Sequence, residues 1–218
     1  MRDGMLEECD FLKEAENIQT FAKFLQDHEI KGVVVPKVYP MATNKRVLTM
    51  QRLSGYSVSE LIKQDGIGGT LPQQLAHAIN VWLESVQHCK IYHADLHAGN
   101  LIAIDNQTLG FIDFGIVGHM DPVLLENIFA LMSAAKSDDY AHIAELLCKL
   151  GATKKDIDKD KLAQDVAIIF GGDVSQENFF LELSQIAQQH GIRFPRAFTL
   201  LLKQFLYFDN FLNITNSK

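Results

Sequence analysis

The sequence predicts an α+β fold that is mostly helical, and three observations point to it. Residues 91–118 have the pattern loop, strand, turn, strand, because two short apolar runs flank a turn at Asp105 and Asn106. Two further apolar runs, within residues 33–39 and 46–53, have the length of strands. After Gly118 the pattern is helical to the end of the chain.

The first predicted element is an amphipathic helix over residues 5–27. Its apolar residues recur at spacings of three and four, as a stripe of Leu6, Cys9, Leu12, Ala15, Ile18, Ala22 and Leu25. Four polar residues fall outside that stripe, namely Glu8, Asp10, Glu14 and Asn17. The pattern by itself indicates that these four form a solvated acidic face.

Two strands follow the first helix. The apolar run at 33–39 is broken by Pro36, which is typical of an edge strand because proline cannot donate to a ladder. The second strand covers residues 46–53 and ends at Ser54 and Gly55.

The remaining elements outside the segment 91–118 are helices. Ser57 begins a short one, and Glu60 completes a capping box with it. A longer helix covers residues 71–90, with Trp82 in its apolar stripe and therefore expected in the core. Caps, prolines and terminal glycines then predict five helices, over 121–135, 138–150, 158–170, 175–190 and 195–213.

Chemistry-bearing residues concentrate in the segment 91–118. The hairpin predicted there brings its two ends together, so Asn100 and Asp113 should lie side by side. An amide oxygen and a carboxylate at one point suit a hard cation such as Mg²⁺. Asp95 lies at the other end of the loop, where it can orient a hydroxyl or accept its proton. The order His-x-Asp-x-x-x-x-Asn, then Asp-Phe-Gly, is that of the catalytic and metal loops of the protein-kinase-like fold.

A zinc site is an alternative for the same segment. His93, Asp95 and His97 alternate along the chain, and such a pattern can supply three zinc ligands. Zinc would leave Asn100 and Asp113 unexplained, so the phosphoryl-transfer interpretation is favoured.

Composition limits the other classes of function. The chain has 218 residues, 47% hydrophobic and 22% charged, which is typical of a globular protein. A net charge of −7 without a Lys/Arg run argues against nucleic acid as a partner. Three widely spaced cysteines indicate reduced thiols. No signal peptide and no apolar run of about 18 residues is found, so we expect a cytoplasmic protein without a transmembrane segment.

Several motifs make the chain resemble the UbiB/AarF-like atypical kinases, the family tied to ubiquinone biosynthesis. HADLHAGN and IDFGIVGHM look like the catalytic and metal loops of that family. ECDFLKEAEN looks like its Glu-x-Asp helix, and VPKVYPMATNKRVLTMQRLSG looks like its strand pair entering the hinge. GIRFPRAFTLLLKQF resembles its C-terminal helical region. The resemblance covers nearly the whole chain and implies a protein-kinase-like fold, chiefly the helical large lobe with a reduced small lobe.

The resemblance implies a site for ATP and Mg²⁺. Asp95 corresponds to the catalytic aspartate, and His93 belongs with it as a residue that braces the loop by hydrogen bonds. Asn100 and Asp113 correspond to the residues that hold Mg²⁺ on the ATP phosphates.

The resemblance also changes the interpretation of the first helix. Glu8 and Asp10 match the Glu-x-Asp pair of the family, and Glu14 matches the acidic residue that reaches toward the nucleotide lysine. All three are therefore expected at the nucleotide instead of on a solvated face. Met50, in the second strand, is expected near the hinge that contacts the nucleotide base.

The resemblance divides the chain into residues 1–53, a remnant of the small lobe, and residues 54–218, the large lobe. The Lys-x-Gly-Gln extension, alanine-rich loop and Val-Ala-Ile-Lys strand of the family have no counterpart before the first helix, and Lys37 lies in the wrong strand. The strand pair would then have an exposed edge at which a protein partner can pair. A nucleotide is the first expected ligand, and a lipid or the inner face of a membrane is a further expected partner.

Three functions remain open from the sequence. The first is a UbiB-type atypical kinase or ATPase that binds Mg-ATP. The second is a non-catalytic kinase-like fragment or binding module. The third is a small-molecule phosphotransferase of the aminoglycoside/choline kinase type, against which the Glu-x-Asp helix and the residues Phe114-Gly115 both weigh.

Overall fold

The computed structural model describes residues 10–65, 69–153, 157–171 and 176–216, and confirms a mostly helical α+β fold. Two compact units are found, one of residues 1–119 with 207–218 and one of residues 120–206. Among the described residues, no helix is both long enough and apolar enough to cross a bilayer. The predicted division after residue 53 stays a prediction.

The first unit begins with helix α1, Phe11–Asp27, and continues with the short strand β1, Val33–Val34. Strand β2, Tyr56–Ser57, leads into helix α2, Val58–Asp65, and helix α3 covers Leu71–His88. Four short strands follow in the segment 91–118, namely β3 Tyr92–His93, β4 Leu101–Ala103, β5 Leu109–Phe111 and β6 Val117–Gly118. The short 3-10 helix Ala98–Asn100 precedes β4.

Two sheets organise the first unit. The larger has the strand order β1-β5-β4-β2, in which β1 is parallel to β5 and the other pairs are antiparallel. The smaller pairs β3 with β6, so that Tyr92 lies opposite Gly118. A Cβ atom at Gly118 would overlap the ring of the fully buried Tyr92, which explains why this strand position is a glycine.

Helix α3 packs its predicted stripe into the core of this unit. Trp82 is fully buried, as predicted, and its ring makes edge contacts with Tyr92 and Phe208, at centroid distances of 5.6 Å and 4.9 Å. The predicted capping box is also confirmed: the Glu60 backbone N–H donates to Ser57 Oγ, and the Ser57 N–H donates to Glu60 Oε2.

The first helix differs from its predicted pattern. Residues 5–9 lie outside the described residues, and Leu12, assigned to the buried stripe, is exposed. The buried face keeps Ala15, Ile18 and Leu25 of the predicted stripe and adds Glu14, Phe21 and Phe24. The prediction of a solvated face is therefore wrong for Glu14, because the aromatic residues of α1 rotate the buried side of the helix toward it.

The predicted strand at 46–53 is not formed as a strand. Only isolated bridges are found in this part of the chain, Val38 with Met50 and Asn44 with Val47. Side chains take backbone groups that a longer ladder would use: the Thr49 N–H donates to Thr43 Oγ1, and Thr49 Oγ1 donates to the Ala42 carbonyl.

The second unit is built from helices. Its elements are α4 Pro122–Lys136, α5 Tyr140–Leu150, β7 Ala152–Thr153, α6 Lys159–Phe170, α7 Gln176–Gln189, β8 Ile192–Arg193 and the first part of α8, Arg196–Asn216. Helix α5 packs against α4 and α6, and β7 pairs with β8. Aspartate side chains at 121, 139 and 158 cap the helices α4, α5 and α6, and the cap at 121 was predicted from the sequence.

Candidate active site

The candidate site lies in the first unit, where the β4–β5 hairpin brings Asn100 next to the Asp113 segment. Leu101 is in register with Phe111, and the Ile112 N–H donates to the Asn100 carbonyl at 3.1 Å. The backbone of Asn100 is therefore paired with the residue that immediately precedes Asp113. This is the neighbourhood that the hairpin pattern predicted.

Asn100 is held by two backbone carbonyl groups of the loop that precedes it. Its side-chain Nδ2 donates to the Asp95 carbonyl at 3.0 Å, and its backbone N–H donates to the His97 carbonyl at 2.9 Å. The side chain is buried at 6% exposure, so the amide has little freedom to rotate. Because Nδ2 faces Asp95, the Oδ1 atom of the same amide group is the one suited to a cation.

His93 braces the catalytic loop from within the core. Its ring is fully buried; Nδ1 accepts from the Asp95 N–H at 3.2 Å, and Nε2 donates to the Ile112 carbonyl at 3.0 Å. Burial lowers the pKa of the imidazole, while the Ile112 carbonyl and the charges of Asp113 and Asp95 act in the opposite direction. His93 is therefore a neutral connector that joins the backbone of Asp95 to the strand preceding Asp113.

Trp82 fixes His93 in turn. The indole Nε1 donates to the His93 carbonyl at 2.6 Å, within the buried core. Helix α3 thus supports the loop by a hydrogen bond as well as by packing.

Asp113 has a backbone conformation that is unusual for its residue type. Its φ is +61°, in the left-handed region that L residues other than glycine rarely adopt. The side chain is exposed, and its Oδ1 accepts from the Gly115 N–H at 3.3 Å. One hydrogen bond leaves a carboxylate further lone pairs, so Asp113 fits a cation ligand.

Phe114 anchors this turn in the core. Its ring is fully buried and contacts Phe21 of α1 at a centroid distance of 5.2 Å and His93 at 4.7 Å. The aromatic ring therefore connects three separate parts of the sequence at the point where Asp113 emerges.

Helix α1 reaches the same turn with two polar side chains. Asn17 Nδ2 donates to the Phe114 carbonyl at 3.0 Å, and the Glu14 carboxylate lies near the Phe114 backbone. Burial raises the pKa of Glu14, as does the nearby charge of Asp113, and the hydrogen bond from Phe114 acts in the opposite direction. No Lys or Arg side chain in the described part of the chain forms an ion pair with Glu14.

Sequence reasoning missed Asn17. It was assigned with Glu14 to a solvated face, but the structure places both on the side of α1 that contacts Phe114. The spacing of three residues between them was the available signal, because residues i and i+3 share one face of a helix.

Two further predicted site residues, Asp10 and Met50, have contacts of their own in the first unit. Asp10 is the N-cap of α1 and accepts from the Leu12 N–H at 3.2 Å. Met50 is 37% exposed and forms the isolated bridge with Val38. Glu8 lies outside the described residues.

The zinc alternative is not supported by the arrangement of the histidines. Both ring nitrogens of His93 make hydrogen bonds to backbone, and His97 Nδ1 accepts from the Gly99 N–H at 3.0 Å. Over the described ranges, no group of three or more His, Cys, Asp or Glu side chains could hold a metal ion.

Comparison with known proteins identifies relatives of the chain. The sequence profile of the ABC1 atypical kinase-like domain matches residues 1–147. An uncharacterised chloroplastic aarF domain-containing protein kinase of Arabidopsis thaliana is 34% identical over 98% of this chain. A second Arabidopsis protein, the chloroplastic ACTIVITY OF BC1 COMPLEX KINASE 1, is 26% identical over 94% of the chain. The chain spans 45% of the length of the first relative and 31% of the second.

A solved structure supports the fold. The Mycobacterium tuberculosis protein Rv3197, solved in complex with erythromycin, superposes with a TM-score of 0.62 at 21% sequence identity. The match covers 95% of this chain and 55% of the solved one. Together with the profile match, it confirms the predicted kinase-like α+β fold.

Proposed function

Because the chain belongs to the ABC1 atypical kinase-like family, we propose that it carries the Mg-ATP site of a UbiB-type kinase or ATPase. The observation that carries the proposal is the β4–β5 hairpin, which pairs the backbone of Asn100 with the residue before Asp113. Asp95 begins the same loop, braced by His93.

Each residue has a distinct role in this proposal. Asn100 Oδ1 and the Asp113 carboxylate hold Mg²⁺, which when bound neutralises charge on the nucleotide phosphates. Asp95 orients the acceptor hydroxyl or water and accepts its proton. His93 keeps the loop in place as a neutral connector, since its ring nitrogens are already hydrogen-bonded.

The test is a thermal shift of the 218-residue chain with ADP or ATP, with and without MgCl₂. Ligand at about 100 times its Kd stabilises the folded state by roughly 2.7 kcal/mol. We expect a Mg²⁺-dependent shift that Asp113→Asn abolishes and that Asp160→Asn, a matched change at the start of α6 in the other unit, retains. A shift that persists unchanged in Asp113→Asn would overturn the site assignment.

A second candidate function is that of a non-catalytic binding module. The observation that favours it is Glu14, a buried carboxylate without an ion-pair partner among the described Lys and Arg residues. A nucleotide site that needs a cation there would be incomplete. Absence of any shift at millimolar nucleotide, with and without MgCl₂, would favour this candidate over the kinase.

Partners are proposed on two grounds. Exposed apolar side chains at Tyr39, Val47 and Met50 support a protein partner beside the isolated bridges of residues 33–53. A link to ubiquinone biosynthesis, and with it contact with a lipid or membrane surface, rests on the family resemblance.

A further inference from the structure

The Phe114 backbone is held from one side by a single turn of α1. The Glu14 carboxylate lies near the backbone of Phe114, on the same side of the turn. Asn17 donates to the carbonyl of Phe114, which belongs to the peptide plane between Phe114 and Gly115. The peptide plane between Phe114 and Gly115 is therefore oriented by α1.

This arrangement bears on Asp113 because its own backbone does not favour the observed conformation. A φ of +61° is a sparsely populated state for aspartate, and such states persist only where the surroundings enforce them. The buried Phe114 ring fixes where the turn lies. A ring contact does not fix the rotation of the adjoining peptide planes, whereas directional hydrogen bonds do.

We infer that Asn17 is a positioning residue for Asp113: its amide holds the Phe114 carbonyl and so keeps the Asp113 carboxylate directed at the metal position. The inference rests on the proposed Mg-nucleotide function. Asn17 touches neither metal nor nucleotide in this assignment and acts only through the backbone. Residues that orient metal ligands in this way change metal affinity by about 10- to 100-fold when they are replaced.

The side chain required at position 17 is narrowly defined. It needs an N–H donor at the reach of asparagine, because the group it meets is a carbonyl oxygen. Asn17→Leu removes the donor while it keeps the branched shape of the side chain and does not change the charge. Asn17→Asp keeps the shape but presents an acceptor to a carbonyl oxygen.

The first experiment measures ADP affinity of the full chain with and without MgCl₂ by calorimetry. We expect Asn17→Leu to reduce the Mg²⁺-dependent gain in ADP affinity by about 10-fold or more, with Mg²⁺-free ADP affinity unchanged. Asn17→Asp should also lose the gain.

Asn127→Leu is the matched control. Its side-chain Nδ2 also donates to a backbone carbonyl, that of Val123 in α4, at 2.8 Å, but in the other unit. It should lose no Mg²⁺-dependent affinity. An equal loss in Asn17→Leu and Asn127→Leu would reduce Asn17 to a general structural residue and overturn the inference.

A second measurement separates failure of the inference from failure of the proposed function. Amide hydrogen exchange of residues 113–115 is recorded without nucleotide, and Asn17→Leu should accelerate it relative to Asn127→Leu. Wild-type Mg²⁺-dependent binding that Asn17→Leu leaves intact overturns the inference alone. If the wild type shows no such binding, the proposed function fails. Faster exchange in Asn17→Leu then still supports the role of Asn17 in positioning the turn, and unchanged exchange overturns that role.

Discussion

Two segments of the first unit, both predicted as strand pairs at a nucleotide site, differ in how they are held. In the catalytic segment, residues 91–118, buried rings and buried hydrogen bonds connect the strands to α1 and α3. In the bridge segment, residues 33–53, pairing is limited to β1 and isolated bridges, and large apolar side chains are exposed. The comparison teaches that side-chain contacts and hydrogen bonds between elements, more than strand propensity, determine the geometry of the candidate site.

The largest effect should come from closing the space beside Tyr92. Gly118→Ala places a Cβ atom against the buried Tyr92 ring, which cannot move outward, so we expect a loss of about 3 kcal/mol in the free energy of unfolding. Urea denaturation measures it. Combining it with Tyr92→Leu should give less than the sum of the two losses, because the smaller side chain makes room. Additive losses would show that the ring is not the cause.

A somewhat smaller effect should follow from removing the indole N–H. Trp82→Phe leaves the His93 carbonyl without its buried donor and creates a small cavity, which together should lower the free energy of unfolding by about 2 kcal/mol. Chemical denaturation followed by circular dichroism gives the value. A change below about 0.5 kcal/mol would mean that α3 does not support the loop through this bond.

A smaller, pH-dependent effect is expected at Glu14. Its pKa is raised in the folded state by burial and by Asp113, so the folded protein binds this proton more readily than the unfolded chain does. The contribution of Glu14 to the free energy of unfolding is therefore fully present below the ordinary glutamate pKa. It is lost as the pH rises through the raised pKa of Glu14. Glu14→Gln should be more stable than wild type at neutral pH, with the difference vanishing in acid.

Denaturation curves from acid to neutral pH measure the Glu14 effect. Glu16→Gln, on the exposed side of the same helix, is the matched control and should follow the wild type. A Glu14→Gln variant that is less stable than wild type at neutral pH would mean that a cation compensates the buried charge.

The smallest effect should come from the bridge segment. Met41 is fully exposed in the short 3-10 helix Pro40–Ala42, so Met41→Ser should change the free energy of unfolding by less than about 0.5 kcal/mol. Thermal unfolding at two protein concentrations measures it. A large, concentration-dependent loss of stability would show that this surface is covered by a second copy. The bridge segment would then also be held by contacts, as the catalytic segment is.

The sequence alone predicted the parts in which local pattern and structure agree. The β4–β5 hairpin, the Ser57–Glu60 capping box and the burial of Trp82 follow from short-range rules, and all three are confirmed. The proximity of Asn100 to the Asp113 turn followed from the hairpin. Their roles toward Mg²⁺ and ATP stay predictions.

The predictions from the sequence were wrong or incomplete where contacts between residues far apart in the chain determine the structure. Leu12 has an apolar side chain at the expected spacing, yet it is exposed, because Phe21 and Phe24 shift the buried face of α1 away from it. Asn17 could not be recognised as a partner of Phe114, since no local rule connects residues 97 positions apart. The strand at 46–53 was overestimated because threonine hydroxyls compete for the backbone groups.

The contact between Asn17 and Phe114 also has a consequence for the order of folding. The hairpin of β4 and β5 is local and can form early, but the α1 contact closes a loop of 97 residues. The length-dependent part of such a closure entropy is about 4 kcal/mol at 25 °C, so the contact gains population only when the intervening helices have already compacted the chain. On a ribosome, the hairpin would therefore precede the ordered turn at Asp113, which would form only after α1 has packed against the hairpin segment.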